Sequence, residues 1–180
     1  MLTELAPVPA GDLPIVALRD HLRLGTGFAD DAVQDGILEA ALRAALAAVE
    51  GRTGRALLVR PFAFEAVPVE GRVVLPIGPA MVTLVEIDTA GTRMDVTAGA
   101  TVGGGSRPVV EGLPGHGTAV IGFTAGFGAW DAVPPDLRQA VLMLAAAWYE
   151  DRGASSDAAF PAVVGAMLAP WRMLRLGGRR

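Results

Sequence analysis

The spacing of hydrophobic and polar positions changes along the chain. Apolar residues recur at helical spacing from about Leu13 to Leu24, and again from Asp30 or Asp31 to about Thr53, where Gly54 is suited to end the helix. From about Leu57 to Gly126 the spacing changes to a period of two, with glycine-rich turns between short runs. The pattern predicts two helices followed by a β-sheet region.

Helical spacing returns in the last third of the chain. Pro134 and Pro135 precede a third predicted helix to about Arg152, and a fourth is predicted from about Pro161 to Leu168. We therefore expect an α+β fold, a bundle of about four helices with a small antiparallel sheet or barrel inserted between the second and third helices. The sequence shows no internal repeat and no domain boundary, so residues 1–180 are expected to form one domain.

The chain is more apolar than one compact core requires. Hydrophobic residues make up 52% of the 180 residues and charged residues 19%, below the usual ~25%. The longest apolar run, Ala140 to Tyr149, is about half the length that a membrane-spanning helix needs. No signal peptide follows Met1, so we expect the protein to remain in the cytoplasm after synthesis. The apolar excess is then explained by contact with other subunits or with partner proteins.

The second predicted helix carries the widest apolar arc. Its polar residues fall on one stripe, so more than one neighbour has to cover the remaining surface. We expect part of that cover to come from another copy of the chain. The candidate subunit-interface residues are Ile37, Leu38, Leu42 and Leu46.

Several classes of chemistry are excluded by composition. The chain has no Cys and no Lys, so it offers no thiol nucleophile, disulfide, Schiff base or ordinary P-loop. None of its three Ser lies in a GxSxG context. We expect no cofactor.

One cluster leaves an enzymatic alternative open. Asp30, Asp31, Asp35 and Glu39 could hold a divalent cation, as in a small metal-dependent hydrolase. The same carboxylates favour the positive amino end of the second helix, and Glu39 is spaced to pair with Arg43. The two His, at positions 21 and 116, are far apart and form no metal-binding motif.

Charge is distributed unevenly. The segment after Asp157 has four Arg and no acid, giving +4, whereas the preceding residues carry −8, consistent with the net charge of −4. Apolar residues such as Trp171 and Leu174 lie between these Arg. Such a segment is typical of a nucleic-acid contact, a membrane-surface contact, an acidic protein partner, or a disordered solubilising end.

The order of motifs resembles the head-tail connector (adaptor) proteins of long-tailed DNA phages and of gene transfer agents. The resemblance extends over essentially the full chain and is most specific in its last third. It is carried by Leu18 to Leu24 (LRDHLRL), Glu50 to Arg55 (EGRTGR), Gly126 to Gly128 (GFG), Val133 to Ala140 (VPPDLRQA), Trp148 to Arg152 (WYEDR) and Ala169 to Arg172 (APWR).

The resemblance implies a structural protein with no catalytic residue. Such adaptors form a ring of about twelve subunits, a closed heterologous assembly, in the neck of a virion or phage-like particle assembled in the bacterial cytoplasm. The ring joins the portal protein to a tail-side stopper or tail terminator protein. The resemblance makes 169–180 a basic docking segment. Its candidate portal-docking residues are Trp171, Arg172, Leu174 and Arg175.

A ring of this kind also encloses a channel for DNA. A lumen of net negative charge lets DNA pass, whereas basic side chains retain its phosphates. We therefore expect DNA to pass without sequence-specific binding, and we expect no membrane partner. The candidate channel-lining residues are Glu70, Glu86, Asp88 and Asp95.

Overall fold

The computed structural model describes residues 1–24, 31–105, 107–151 and 160–172, with only the backbone described for 31–33. The chain divides into two compact units. A β unit combines Met1–Val8 with Arg55–Ala129, and a helical unit combines Pro9–Gly54 with Trp130–Arg180.

The β unit is built on a five-stranded antiparallel sheet. Its strand order is β1-β2-β8-β4-β5, so the strand that is last in sequence lies at the centre. The strands are β1 (Leu2–Glu4), β2 (Arg60–Ala66), β4 (Ala80–Thr89), β5 (Thr92–Asp95) and β8 (Thr118–Ala125). Buried and half-buried residues alternate along β8, as the period of two predicts for a sheet with one covered face.

A smaller antiparallel sheet completes the β unit. It has the order β3-β7-β6, formed by β3 (Arg72–Val74), β6 (Thr101–Gly103) and β7 (Val109–Glu111). Both sheets contribute to one apolar core, in which the rings of Phe62 and Phe123 stack 5.7 Å apart. Val73, Val110 and Ile121 are buried in the same core.

Among its described residues, the helical unit contains four α-helices. They are α1 (Ile15–His21), α2 (Asp31–Thr53), α3 (Pro135–Glu150) and α4 (Ala162–Leu168). Gly54 ends α2 with a φ of 64°, a left-handed conformation that glycine adopts without strain. The α+β class, the four helices and the inserted antiparallel sheets confirm the fold expected from the sequence.

The helix boundaries differ in detail from the expected ones. The first helix is shorter than Leu13 to Leu24, because Pro14 occupies its N-cap and Arg23 adopts a φ of 55°. In α3, Leu144 is buried as an apolar helix centre predicts, whereas Trp148 is only half-buried.

Candidate assembly surfaces

The residues that lead into the basic segment are packed within the helical unit. Val164 and Leu168 of α4 are completely buried. Ahead of α4, the Phe160 ring lies under the guanidinium of Arg52, with 4.0 Å between the ring centroid and Cζ. This is a cation–π contact. A short 3₁₀ turn, Ala169–Trp171, follows α4 directly.

Trp171 is bound to the first turn of α3. Its Nε1 donates a hydrogen bond to Asp136 Oδ2 over 2.5 Å, and Asp136 Oδ1 accepts a second bond from the backbone N–H of Leu137. The half-buried Trp171 therefore has a partner within its own chain, whereas Arg172 is exposed. The other two candidate docking residues, Leu174 and Arg175, lie outside the described residues.

The motifs that carry the resemblance have structural roles in the helical unit. Arg19 pairs with Asp35 across α1 and α2, and Gln34 Nε2 donates to Tyr149 Oη over 3.1 Å across α2 and α3. Thr53 is buried and its hydroxyl donates to the Val49 carbonyl at the end of α2. The first two contacts link neighbouring helices, and the third lies within α2.

The candidate interface residues on α2 differ in their exposure. Leu38, Leu42 and Leu46 are buried in the core of their own chain, so they offer little surface to a second copy. Ile37, one residue away from Leu38, is 48% exposed. The sequence predicted a wide apolar arc but did not indicate which side the chain itself covers.

Three of the four candidate channel residues lie on one face of the β4–β5 hairpin. Glu86 is opposite Asp95, and Asp88 is opposite Arg93. Since alternate strand residues share a face, all four side chains project from the same side of the hairpin. Arg93 lies 3.6 Å from both Glu86 and Asp88, which leaves this face with a net charge of −2.

The acidic face extends across the sheet. Val120 of β8 is opposite both Glu65 of β2 and Glu86 of β4, so Glu65 lies on the same outer face. The fourth candidate, Glu70, lies apart from this row in the tight turn before β3, with a φ of 52°.

Asp95 is held in its charged form. The Thr97 side chain and, less strongly, the Thr97 backbone N–H hydrogen-bond to the carboxylate and lower its pKa below the ordinary 3.8. The Thr97 N–H lies 2.8 Å from Asp95 Oδ1. Hydrogen bonds to a carboxylate favour its ionised form.

An exposed apolar surface on the β unit was not identified from the sequence. The register between β4 and β8 shifts by one residue between Val82 and Leu84. Thr83 and Leu84 therefore both lie opposite Gly122. Leu84 shares the exposed face of Glu86, and the β-bulge brings Met81, which is 66% exposed, to the same face. Met81 also lines a groove of about 330 Å³, together with Val59, Pro79, Ala80 and Phe127 among others.

The acidic cluster at the start of α2 forms no metal site among the side chains that the structure describes. Within those residues, no group of three His, Asp or Glu is placed to hold a cation. Asp35 is paired with Arg19 and Glu39 with Arg43. Asp30, and the side chain of Asp31, lie outside the described residues.

Over residues 1–24, 31–105, 107–151 and 160–172, no helix is both long and apolar enough to cross a membrane.

Comparison with known proteins gives one consistent result. No family model matches the chain, and no curated protein matches it in sequence. Chains of solved assemblies are similar to it. In the neck of an empty gene transfer agent (GTA) particle, computed with C6 symmetry, a chain is 43% identical with a TM-score of 0.88, and the match covers 100% of this chain and 99% of the other.

Two further assemblies agree. In the virion of a native GTA particle a chain is 43% identical with a TM-score of 0.84, covering 99% of this chain and 98% of the other. In the neck of a native GTA particle, computed with C12 symmetry, the identity is 40% and the TM-score 0.82, covering 100% and 99%. With this similarity over its whole length to components of GTA necks, the protein belongs to the head-tail connector (adaptor) family of tailed phages and gene transfer agents, as its motifs predicted.

Proposed function

We propose that this protein is the adaptor ring of a phage-like particle neck, joining the portal to the tail side around a channel for DNA. The observation that carries the proposal is the 40–43% identity over the full chain to components of GTA necks and virions. A structural neck component acts through its surfaces, so ring closure, portal docking and channel lining are assigned to separate surfaces of the subunit.

The ring is proposed from symmetry and from exposed apolar residues. Two of the similar chains come from necks computed with C6 and C12 symmetry. A cyclic ring uses two different faces of each subunit, because every copy binds the next in the same sense. Met81, Leu84 and Val59 in the β unit, and Ile37 in the helical unit, are exposed apolar residues suited to such contacts.

Portal docking is assigned to the basic segment. Arg172 is exposed where the described chain ends, and three further Arg follow it in the sequence. With no acid among its last residues, this segment is suited to an acidic groove on a partner. The docking contribution of Trp171 is then indirect, since its indole N–H is used within the chain.

The channel lining is assigned to the acidic face of the β4–β5 hairpin. Glu86, Asp88 and Asp95 outnumber Arg93, and both carboxylates near Arg93 compensate its charge. Repeated around a ring, this face would repel phosphates and let DNA slide.

The experiment that tests the proposal removes residues 173–180. The shortened chain keeps α4 and Trp171, so thermal unfolding should match that of the full chain. It should fail to attach to portal-containing heads in negative-stain images, whereas full-length protein should add a ring beneath the portal. Equal attachment by both forms would reject the docking role.

A matched variant separates charge from chain length. Changing Arg175, Arg179 and Arg180 to Gln keeps the full chain length but removes three positive charges. Attachment should weaken and lose most of its salt dependence. If the neutral variant attaches like the full chain at every salt concentration, an electrostatic docking role is wrong.

A further inference from the structure

Two segments that carry the family resemblance contact each other in the fold. Asp136 belongs to the VPPDLRQA segment and Trp171 to the APWR segment, 35 positions apart. Asp136 lies in the first turn of α3, and Trp171 directly precedes Arg172. Their contact gives a physical reason for both segments to occur in one chain.

The two oxygens of Asp136 have different donors. Oδ1 accepts from the Leu137 N–H and Oδ2 accepts from Trp171 Nε1. The carboxylate lies in the first turn of α3, where the positive end of the helix dipole favours its charge. A hydrogen bond to an ionised acceptor is stronger than a neutral one, particularly when it is partly shielded from water.

The Trp171 contact is the last of several that hold residues 160–171. At the start of this segment, the Phe160 ring contacts the guanidinium of Arg52. Val164 and Leu168 are buried in its middle. Beyond Trp171, the backbone at Arg172 becomes extended, with φ −70° and ψ 134°. The bond to Asp136 is therefore the final side-chain contact described before the basic residues begin.

We propose that Trp171 is a positioning residue for docking: its bond to Asp136 fixes where, and in which direction, the basic segment leaves the helical unit. Fixing the base of a docking segment reduces the conformational entropy lost on binding. The inference rests on the proposed portal docking, and it adds that affinity depends on a contact inside the adaptor.

Spin-label distances test the geometry without any partner. The chain has no Cys, so Ala44→Cys on α2 and Arg172→Cys supply the only two labelling sites. Electron-spin distance measurements should give a narrow distribution, which broadens with Trp171→Phe because phenylalanine has no N–H to donate. Asp136→Asn should broaden the distribution as well, since an amide has one acceptor oxygen in place of the two that bind Leu137 N–H and Trp171 Nε1. Trp148→Phe, the same change at a half-buried site on α3, should leave it narrow.

Attachment to portal-containing heads tests the consequence. In competition with the full-length protein, Trp171→Phe and Asp136→Asn should each weaken attachment by about tenfold, and the double variant by no more than either alone. Trp148→Phe should compete like the unaltered chain. Thermal unfolding measured in parallel identifies any variant that is unfolded at the assay temperature, and the remaining single variant then decides.

The outcomes separate this inference from the proposed function. If a chain lacking 173–180 attaches normally, the proposed portal docking by this segment is wrong. The distance measurement still tests whether the bond between Trp171 and Asp136 orients the chain at Arg172. If Trp171→Phe leaves the distances unchanged, or broadens them without weakening attachment, positioning by Trp171 is wrong. Weakened attachment with unchanged distances also overturns it, since Trp171 would then contact the portal itself.

Discussion

Arg19 Nη2 lies 2.6 Å from Asp35 Oδ1, and this ion pair joins α1 to α2. The side chain of Arg19 is 17% exposed and that of Asp35 is 43% exposed, so the guanidinium is the shielded partner of the pair. Asp35 was one of the four carboxylates of the hydrolase alternative. In the structure it neutralises a cation of its own chain, which favours a structural role.

Removing that ion pair should measurably destabilise the protein. We expect Arg19→Met to lower the free energy of unfolding by about 1 kcal/mol, because Asp35 loses its partner at a partly shielded site. Arg93→Met is the matched control, since Arg93 is 52% exposed and its contacts are 3.6 Å long. Urea unfolding measures both. Equal losses of unfolding free energy in the two variants would show that the Arg19–Asp35 pair contributes no more than the exposed contacts of Arg93.

Two adjacent valines in α4 should respond differently to the same change. Val164 is completely buried, whereas Val163 is 48% exposed. Val164→Ala should cost about 2 kcal/mol, because it removes buried methyl groups and leaves a cavity, and Val163→Ala should cost much less. Thermal or urea unfolding of the two variants checks this. A larger loss at Val163 would contradict the assigned face of α4.

A glycine after β8 is required by space as well as by conformation. Gly126 has a φ of 135°, and a Cβ built on it would lie 2.5 Å from the Val59 backbone nitrogen. Gly126→Ala should therefore destabilise the protein by about 2 kcal/mol or more. Gly115→Ala is the control, since nothing lies within 4 Å of a Cβ there. Differential scanning calorimetry would reveal the difference, and equal midpoints would contradict it.

The sequence predicted features that depend on nearby residues. The helical period, Pro135 at the start of α3 and Gly54 after α2 are local signals, and they located the helices and the inserted sheets. Long-range features were not predictable. Which side of α2 the chain covers, at Leu38, and which it leaves open, at Ile37, depends on helices distant in sequence.

The candidate site shows the same limit. The strand period at 81–87 was recognisable, but the bulge that turns Met81 outward depends on the pairing of β4 with β8. The bond between Trp171 and Asp136 likewise required the fold, since nothing in either motif specifies the other as its partner.

The charge of Asp95 should persist in mild acid. Its pKa lies below 3.8 because of the hydrogen bonds from Thr97, and we expect Thr97→Val to raise it towards that value. A carboxylate with a lowered pKa stabilises the fold above its unfolded pKa, and that stability is lost as the pH falls through the lowered value. Carbon-13 NMR titration of the carboxyl groups measures this. Thr101→Val, on β6, is the control, and an unchanged Asp95 pKa in Thr97→Val would contradict the assigned cause.

Reversing charge on the β4–β5 hairpin should slow DNA passage if this face lines the channel. Glu86→Arg with Asp95→Arg changes the charge of each subunit by +4, and a ring repeats that change in every copy. Particles assembled with this variant should release DNA more slowly at low salt and recover at high salt, because counterions screen the new phosphate contacts. Glu150→Arg with Asp151→Arg makes the same charge change on exposed residues at the end of α3. Time-resolved DNA release compares the two, and equal slowing by both would show that net charge, not this face, governs passage.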